Sequence, residues 1–202
     1  MIDVHSYKNI SGDIITYNDI NYSNKSSFPP DYVDKMGNSH QPFQLILETV
    51  NEETEKTIID YITDKKKDQL LRTTLNKIGT VLGEEIKHPG YFKQFKALYL
   101  KPGEGMDFID DSDPKTIQLL RYKPKPLTVM IVLGQSILFT LMNKKNRKKW
   151  DIWVPSKSMI VIDNENYEFL RGVAKRQSDT IMVQGESKSI PRGHTYLLTF
   201  QG

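Results

Sequence analysis

The stretch Leu127–Arg171 constrains the fold most, because four short apolar runs follow one another closely within it. The runs span 127–133, 136–142, 150–154 and 158–163, and they are separated by a Gly-Gln pair, a lysine-rich loop and a Pro-Ser-Lys turn. Runs rich in β-branched and aromatic residues and bounded by Gly, Pro, Asn or Lys are typical of strands. We therefore predict consecutive antiparallel strands arranged as two successive hairpins. The first run is apolar at almost every position, so we expect it to be buried on both faces.

A helical pattern precedes these strands. Asn51 is followed by acidic residues, which is typical of a helix start, and a stripe of isoleucines predicts a first helix to about Thr63. A second helix is predicted to end near Gly79. Its apolar residues recur at helical spacing, at Leu70, Leu71, Leu75 and Ile78.

The order of these elements predicts the fold class and the domain boundaries. Two helices followed by many antiparallel strands predict an α+β fold with the helices packed on one face of a β-sandwich. Residues 1–42 are rich in Asn, Ser, Asp and Tyr, and we expect them to form an irregular N-terminal arm. Residues 43–202 then form the single folded domain.

The composition is that of a globular protein and excludes several kinds of site. Hydrophobic residues make up 38% of the chain and charged residues 26%, with a net charge of +3. The absence of cysteine excludes disulfides, thiolate metal ligands and cysteine nucleophiles. No basic segment followed by an apolar run opens the chain, and no stretch approaches the roughly 20 apolar residues that cross a bilayer. We therefore expect an intracellular protein without a membrane partner.

The strongest local charge lies in the loop between the second and third runs. Basic residues are concentrated there and stand beside Trp150 and Trp153; they are Lys144, Lys145, Arg147, Lys148 and Lys149. Cations next to aromatic side chains suit phosphate contact combined with base stacking, so this loop is the predicted nucleic-acid contact. The run also fits a nuclear localisation patch. The alternative is a solvated hairpin loop with no ligand.

The remaining polar clusters do not form a recognisable catalytic motif. The acidic group Asp107, Asp110, Asp111 and Asp113 has the ligand type for a divalent cation, but it lacks the spacing of a calcium loop, which favours a solvated turn. The histidines, at positions 5, 40, 88 and 194, have no metal-ligand spacing with one another.

Three segments in the β-rich half, and the tail, resemble the AlkB family of iron(II) and 2-oxoglutarate dioxygenases. Leu98-Tyr-Leu-Lys-Pro-Gly-Glu-Gly-Met-Asp-Phe-Ile-Asp-Asp111 is similar to the family's Asn-x-Tyr-x-Pro-Gly…His-x-Asp segment. The strand pair around Gly134 resembles its Ser-Leu-Gly…Phe pair, and residues 154–173 resemble its Leu-Pro-x-x-Ser…His-Gly-Ile segment. The ending Leu197-Leu-Thr-Phe-Gln201 resembles its terminal Leu-Thr-Phe-Arg. The resemblance implies a double-stranded β-helix, or jelly-roll, core.

The residues that the family uses for chemistry are largely replaced. In this resemblance the metal positions fall on Ile109, Asp111 and Arg171, of which only the aspartate is retained. The positions that hold 2-oxoglutarate are also substituted, and fall on Leu98, Leu100, Thr195 and Gln201. Because isoleucine cannot donate to a metal and an arginine cation repels it, iron is not expected to bind. We expect Arg171 and Asp111 to face each other as an ion pair instead.

The resemblance thus implies a catalytically inactive member of the family that needs no metal or cofactor. We expect a scaffold or accessory subunit of a nucleic-acid-modifying complex, such as a DNA or RNA methyltransferase complex, with protein partners and with DNA or RNA as a further partner. One alternative is a divergent but active iron and 2-oxoglutarate nucleic-acid demethylase. The other is a protein-interaction module that docks through residues 1–42.

Overall fold

We describe the fold from a computed structural model. It describes residues 6–8, 14–16, 29–30, 32–33, 35–40, 42–85, 92, 94–111, 127–163, 169–183 and 186–202. Helix α1 spans Glu52–Thr63 and helix α2 spans Asp68–Glu85, with a short 3-10 turn, Lys65–Lys67, between them. The strands are β1 Ser6–Lys8, β2 Ile14–Thr16, β3 Tyr32–Val33, β4 Ser39–His40, β5 Phe43–Ile46, β6 Gln94–Leu100, β7 Met106–Asp110, β8 Leu127–Gly134, β9 Ile137–Asn143, β10 Lys149–Val154, β11 Met159–Asp163, β12 Phe169–Val173, β13 Ser178–Val183, β14 Glu186–Pro191 and β15 Thr195–Gln201.

Two antiparallel sheets build the core. One has four strands in the order β10-β9-β12-β7, and the other has five strands in the order β5-β11-β8-β15-β6. Their inner faces enclose one apolar cluster, while the outer face of the five-stranded sheet buries a second cluster beneath the two helices. The α+β jelly-roll prediction, with helices on one face, is confirmed.

Strand β8 shows how one strand serves both clusters. Its side chains alternate, so Met130 and Val132 point between the sheets, whereas Val129, Ile131 and Leu133 point toward the helices. All five are at most 2% exposed, as expected for a strand that is apolar throughout.

The predicted pairing of these strands as two local hairpins was wrong. Strand β8 pairs with β11 and β15, and β9 pairs with β10 and β12, so the chain crosses between the sheets at Gly134-Gln135-Ser136 and again at 155–158. Gly134 has a φ of +78°, and a Cβ there would lie 2.5 Å from the carbonyl oxygen of His194. The turn is therefore a tight corner between sheets. The true hairpin joins β9 to β10 through the basic loop.

Helix α1 is attached to both of these crossings. Its N-cap is Asn51, whose Oδ1 accepts from the amide of Thr54, as the sequence predicts. One turn later, Glu55 Oε1 accepts from the Gly134 amide and from the Ser156 hydroxyl, each at 2.8 Å. One carboxylate thus holds the helical layer against both corners of the sandwich.

Helix α2 continues beyond its predicted end at Gly79. Gly79 lies inside the helix, which continues to Glu85. A Cβ at this position would be 3.1 Å from the carbonyl oxygen of Phe92 and 3.5 Å from the ring of Phe200. Gly79 therefore serves close packing of the helix on the sheet, and it does not end the helix.

Most of the predicted N-terminal arm, residues 1–42, lies outside the described residues. Within it, β1 pairs with β2 and β3 pairs with β4 as small separate ladders. Strand β5 begins at Phe43 and joins the five-stranded sheet, where the predicted domain starts. Among the described residues, no helix is long and apolar enough to span a membrane.

Candidate functional site

The positions that correspond to the metal ligands meet where β7 and β12 pair. Arg171 of β12 lies directly opposite Ile109 of β7 in the register of the two strands. Asp111 follows β7 immediately, and its carboxylate contacts the Arg171 side chain. The three residues that the resemblance selects therefore form one cluster between the sheets.

The Asp111 carboxylate accepts four hydrogen bonds from the residues that the structure describes. Arg171 donates to both of its oxygens, from Nε to Oδ2 at 2.7 Å and from Nη2 to Oδ1 at 2.9 Å. Gln201 Nε2 donates to Oδ1 at 2.7 Å, and Thr128 Oγ1 donates to Oδ2 at 3.0 Å. The predicted ion pair of Arg171 with Asp111 is confirmed, and its geometry is bidentate.

The pair is almost completely removed from solvent. The side chains of Arg171 and Asp111 are 6% and 7% exposed. The remaining Arg171 nitrogen, Nη1, points at the sulfurs of Met106 and Met130, at 3.7 and 3.5 Å, which are weak acceptors. Both charges are therefore satisfied mainly by each other, and loss of either would leave a buried ion without its counter-charge.

These residues do not fit a facial-triad iron centre. Such a centre needs two imidazoles and a carboxylate with open coordination positions. Ile109 has no donor atom, the guanidinium of Arg171 has no lone pair to offer a metal, and both oxygens of Asp111 already accept hydrogen bonds. A divalent cation at Asp111 would have to displace a guanidinium that already neutralises the carboxylate.

The positions that correspond to the 2-oxoglutarate contacts are apolar or already engaged. Leu98 and Leu100 of β6 face inward, and Leu100 lies directly opposite Thr195 of β15. The Thr195 hydroxyl donates to the carbonyl oxygen of Gln135 at 3.0 Å. Gln201, at the end of β15, donates to Asp111. At these four positions, 2-oxoglutarate would therefore find none of the polar contacts that the family provides.

Among the described residues, the other histidine and carboxylate candidates do not form a metal site with this cluster. His194 lies on the helix-facing side of the five-stranded sheet, where it stacks on Tyr99 and hydrogen-bonds its hydroxyl. In the described part of the chain, no three histidine or acidic side chains group as metal ligands. His88 and Asp113 lie outside the described residues.

The basic hairpin has a defined backbone. Asn143 Oδ1 accepts from the amides of Lys145 and Asn146, and its carbonyl oxygen accepts from Arg147, which has a φ of +59°. A 2.9 Å hydrogen bond from the Asn143 amide to the Lys148 carbonyl closes the loop. The loop therefore presents its cations from an ordered turn.

Several of these cations contact neighbouring side chains. Lys144 Nζ lies 2.6 Å from Asp110 Oδ2, next to the buried pair. Lys148 Nζ lies 5.4 Å from the ring centroid of Trp150, and Lys149 Nζ lies 5.6 Å from that of Phe108. The side chains of Lys145, Arg147, Lys148 and Lys149 are exposed. The hairpin is thus a cationic rim beside the end of β7.

The tryptophans next to the hairpin are not available for base stacking, contrary to the expectation from sequence. Trp150 and Trp153 are 4% and 3% exposed and belong to the cluster between the sheets. Trp150 points inward because it lies opposite Leu141, which is itself part of the cluster between the sheets. The exposed aromatic near the cations is Phe108, at 42% exposed.

Sequence reasoning missed Thr128 as a member of the buried cluster. Its hydroxyl is the only polar side chain in the run 127–133, and it is 1% exposed. A buried hydroxyl needs a hydrogen-bond partner, so this isolated polar residue was the available sign of a polar site. The role of Gln201 as a donor to Asp111 was also not anticipated.

Solved structures similar to this one support the jelly-roll fold. No family model and no curated protein sequence matches this chain. The solved structure of OsALKBH1 is similar, with a TM-score of 0.51 at 8% identity over 81% of this chain and 99% of that one. The structure of a Pseudomonas putida prolyl-4-hydroxylase gives a TM-score of 0.40 at 10% identity, over 79% of this chain and 83% of that one. A Burkholderia pseudomallei oxidoreductase of the 2OG-Fe(II) oxygenase family gives a TM-score of 0.38 at 12% identity, over 88% of this chain and 75% of that one. At such identities the likeness to OsALKBH1 shows a shared fold.

Proposed function

We propose that this protein is a non-catalytic scaffold with the AlkB-like fold, which binds nucleic acid through its basic hairpin within a larger complex. The observation that carries the first half of the proposal is the bidentate Asp111–Arg171 pair at the position of the metal. An arginine at this position neutralises the one retained carboxylate and supplies the charge that a metal ion would otherwise supply. The presence of Ile109 and Arg171, where the family has its two metal-binding imidazoles, supports a pseudoenzyme on this fold.

The nucleic-acid half of the proposal is supported by the hairpin. Exposed cations on an ordered turn meet phosphates without sequence preference, and each one that neutralises a phosphate releases condensed counterions. Lys145 and Arg147 stand at the tip, where both side chains are exposed. Because Lys144 pairs with Asp110, we expect it to position the hairpin more than it binds phosphate.

The test compares two variants that each remove two exposed charges. Lys145→Ala/Arg147→Ala removes them from the hairpin of the four-stranded sheet. Lys65→Ala/Lys66→Ala removes them from the turn between α1 and α2, the helices that cover the five-stranded sheet. Binding of a single-stranded oligonucleotide is measured by fluorescence anisotropy at several salt concentrations. Each lost phosphate contact lowers the slope of log K against log salt by about 0.7.

The slope is negative, and loss of two contacts is expected to reduce its magnitude by about 1.4 in the hairpin variant. We expect the control to leave the slope unchanged. If both variants bind as wild type does, the hairpin is not the nucleic-acid contact. If wild type binds no oligonucleotide at low salt, the nucleic-acid half of the proposal is wrong.

The proposal also includes a protein partner, of which an accessory role beside a DNA or RNA methyltransferase is one form. Native purification of the tagged protein, with and without nuclease, tests it. We expect a modifying enzyme to co-purify and to remain after nuclease treatment. A protein that emerges alone in both cases would argue against the complex.

A further inference from the structure

A cavity of about 360 Å³ opens on the outer face of the four-stranded sheet, away from the helices. Its floor includes Thr140 and Asp151, which are paired on adjacent strands, and Gly172 lies beside Thr140 on the next strand. The Phe108 ring packs over Gly172, since a Cβ there would lie 3.1 Å from that ring and from the Met106 carbonyl oxygen. The segment from Val173 to Arg176 forms one end wall.

One wall of the cavity is an aromatic ring. Phe108 of β7 is 42% exposed, and it lines the cavity directly. Lys149 Nζ lies 5.6 Å from its ring centroid. An exposed aromatic face beside a cation is the arrangement that receives a planar ring attached to an anionic group.

The cavity is lined by charged groups of both signs. Lys149, Lys175 and Arg176 supply cations, and Asp107 and Asp151 supply carboxylates. Arg176 donates from Nε to Asp179 at 2.7 Å, whereas its buried Nη2 has no hydrogen-bond partner within the part of the chain that the structure describes. The Arg176 side chain is 35% exposed overall, so its guanidinium adds a cation to the cavity wall.

Asp151 offers an acceptor on the floor. Its Oδ1 accepts a short hydrogen bond from the Thr140 hydroxyl, which fixes the carboxylate on the sheet. This leaves Oδ2 to accept from an amine of a ligand. Carboxylates in this role bind the exocyclic amines of bases, such as N4 of cytosine.

We propose that this cavity holds one nucleotide of a single strand whose phosphates lie along the basic hairpin. The base packs against Phe108 and donates an amine to Asp151, while the phosphate lies among Lys149, Lys175 and Arg176. The volume is within the range of about 300 to 1,000 Å³ that is typical of small-molecule sites. Lys149 belongs to both the hairpin and the cavity, so a strand on the hairpin leads into it. This inference rests on the proposed nucleic-acid binding and adds a base preference to it.

The experiment measures binding of oligo-dC and oligo-dT to wild type, Phe108→Ala and Asp151→Asn by fluorescence anisotropy. Val81→Ala, which trims another exposed apolar side chain on α2, is the control, and thermal melting checks that each variant folds. Base–aromatic stacking supports a loss of about fivefold or more for Phe108→Ala, with the salt slope unchanged because no cation is removed. We expect wild type to prefer oligo-dC by about threefold or more and Asp151→Asn to lose this preference.

The outcomes separate the cavity from the hairpin. If Lys145→Ala/Arg147→Ala weakens binding but Phe108→Ala stays within twofold of wild type, the cavity inference is overturned and the proposed function stands. If wild type binds no oligonucleotide, the nucleic-acid half of the proposed function is wrong, and titration with free cytidine monophosphate tests the cavity by itself. Amide shifts at Gly172 and Lys175 that Phe108→Ala abolishes would then support a free-nucleotide site, and their absence would overturn it.

Discussion

Replacing Arg171 by methionine tests the buried pair. The substitution keeps much of the side-chain length in an environment that already contains the sulfurs of Met106 and Met130. It removes both charge-assisted hydrogen bonds to Asp111 and leaves Gln201 and Thr128 as neutral donors to a carboxylate that is 7% exposed.

The expected loss is large because the remaining charge is stranded in the core. Removing one partner of a buried ion pair costs about 3–5 kcal/mol. In a domain of this length each kcal/mol lowers the melting temperature by about 2–4 °C, so Arg171→Met is expected to melt roughly 6–20 °C below wild type. Urea unfolding followed by circular dichroism gives the free energy directly. Arg72→Met, on the exposed face of α2, is the control and is expected to stay within about 0.5 kcal/mol of wild type.

The double variant Asp111→Leu/Arg171→Met identifies the cause of the loss. Replacing a whole buried pair by apolar side chains is often neutral or stabilising. We therefore expect the double variant to be more stable than Arg171→Met alone. A single variant within 1 kcal/mol of wild type would refute the buried-pair reasoning, and so would a double variant less stable than the single one.

Two further predictions concern local interactions outside the cluster. Asn51→Ala removes the N-cap of α1 and is expected to cost about 1 kcal/mol in urea unfolding, whereas Asn51→Asp keeps the acceptor and most of the stability. Burial raises the pKa of Tyr196, and the neighbouring Tyr99 adds to the shift. The folded state then holds the phenol proton more tightly than the unfolded state, so this contribution to stability is lost as the pH rises above about 10. Melting temperatures from pH 8 to 11 should fall more steeply for wild type than for Tyr196→Phe, and equal slopes would count against the shift.

The elements themselves were largely predictable because their patterns are local. The apolar runs after Leu127 became β8, β9, β10 and β11, and Asn51 proved to be an N-cap. The pairing of the strands was not predictable in this way. A Gly-Gln-Ser link suits a hairpin as well as a corner, and the difference depends on contacts that Gly134 makes with the distant residue His194.

The site was partly predictable because the resemblance aligned its positions. It brought together Ile109, Asp111 and Arg171, and the ion pair followed from opposite charges at adjoining positions. The contributions of Thr128 and Gln201 depend on how three separate strands align, which no local pattern contains. The orientation of Trp150 was missed for the same reason, since either face of an edge strand can turn inward.

The most direct measurement of the central claim is a metal titration. Purified protein is titrated anaerobically with Fe(II), or with Mn(II) followed by electron spin resonance, in the presence of 2-oxoglutarate, with Asp111→Ala as the control. Because Arg171 holds both oxygens of Asp111, we predict no saturable metal site and identical behaviour of wild type and control. One equivalent of metal bound per chain, lost in Asp111→Ala, would contradict the account and restore the dioxygenase alternative.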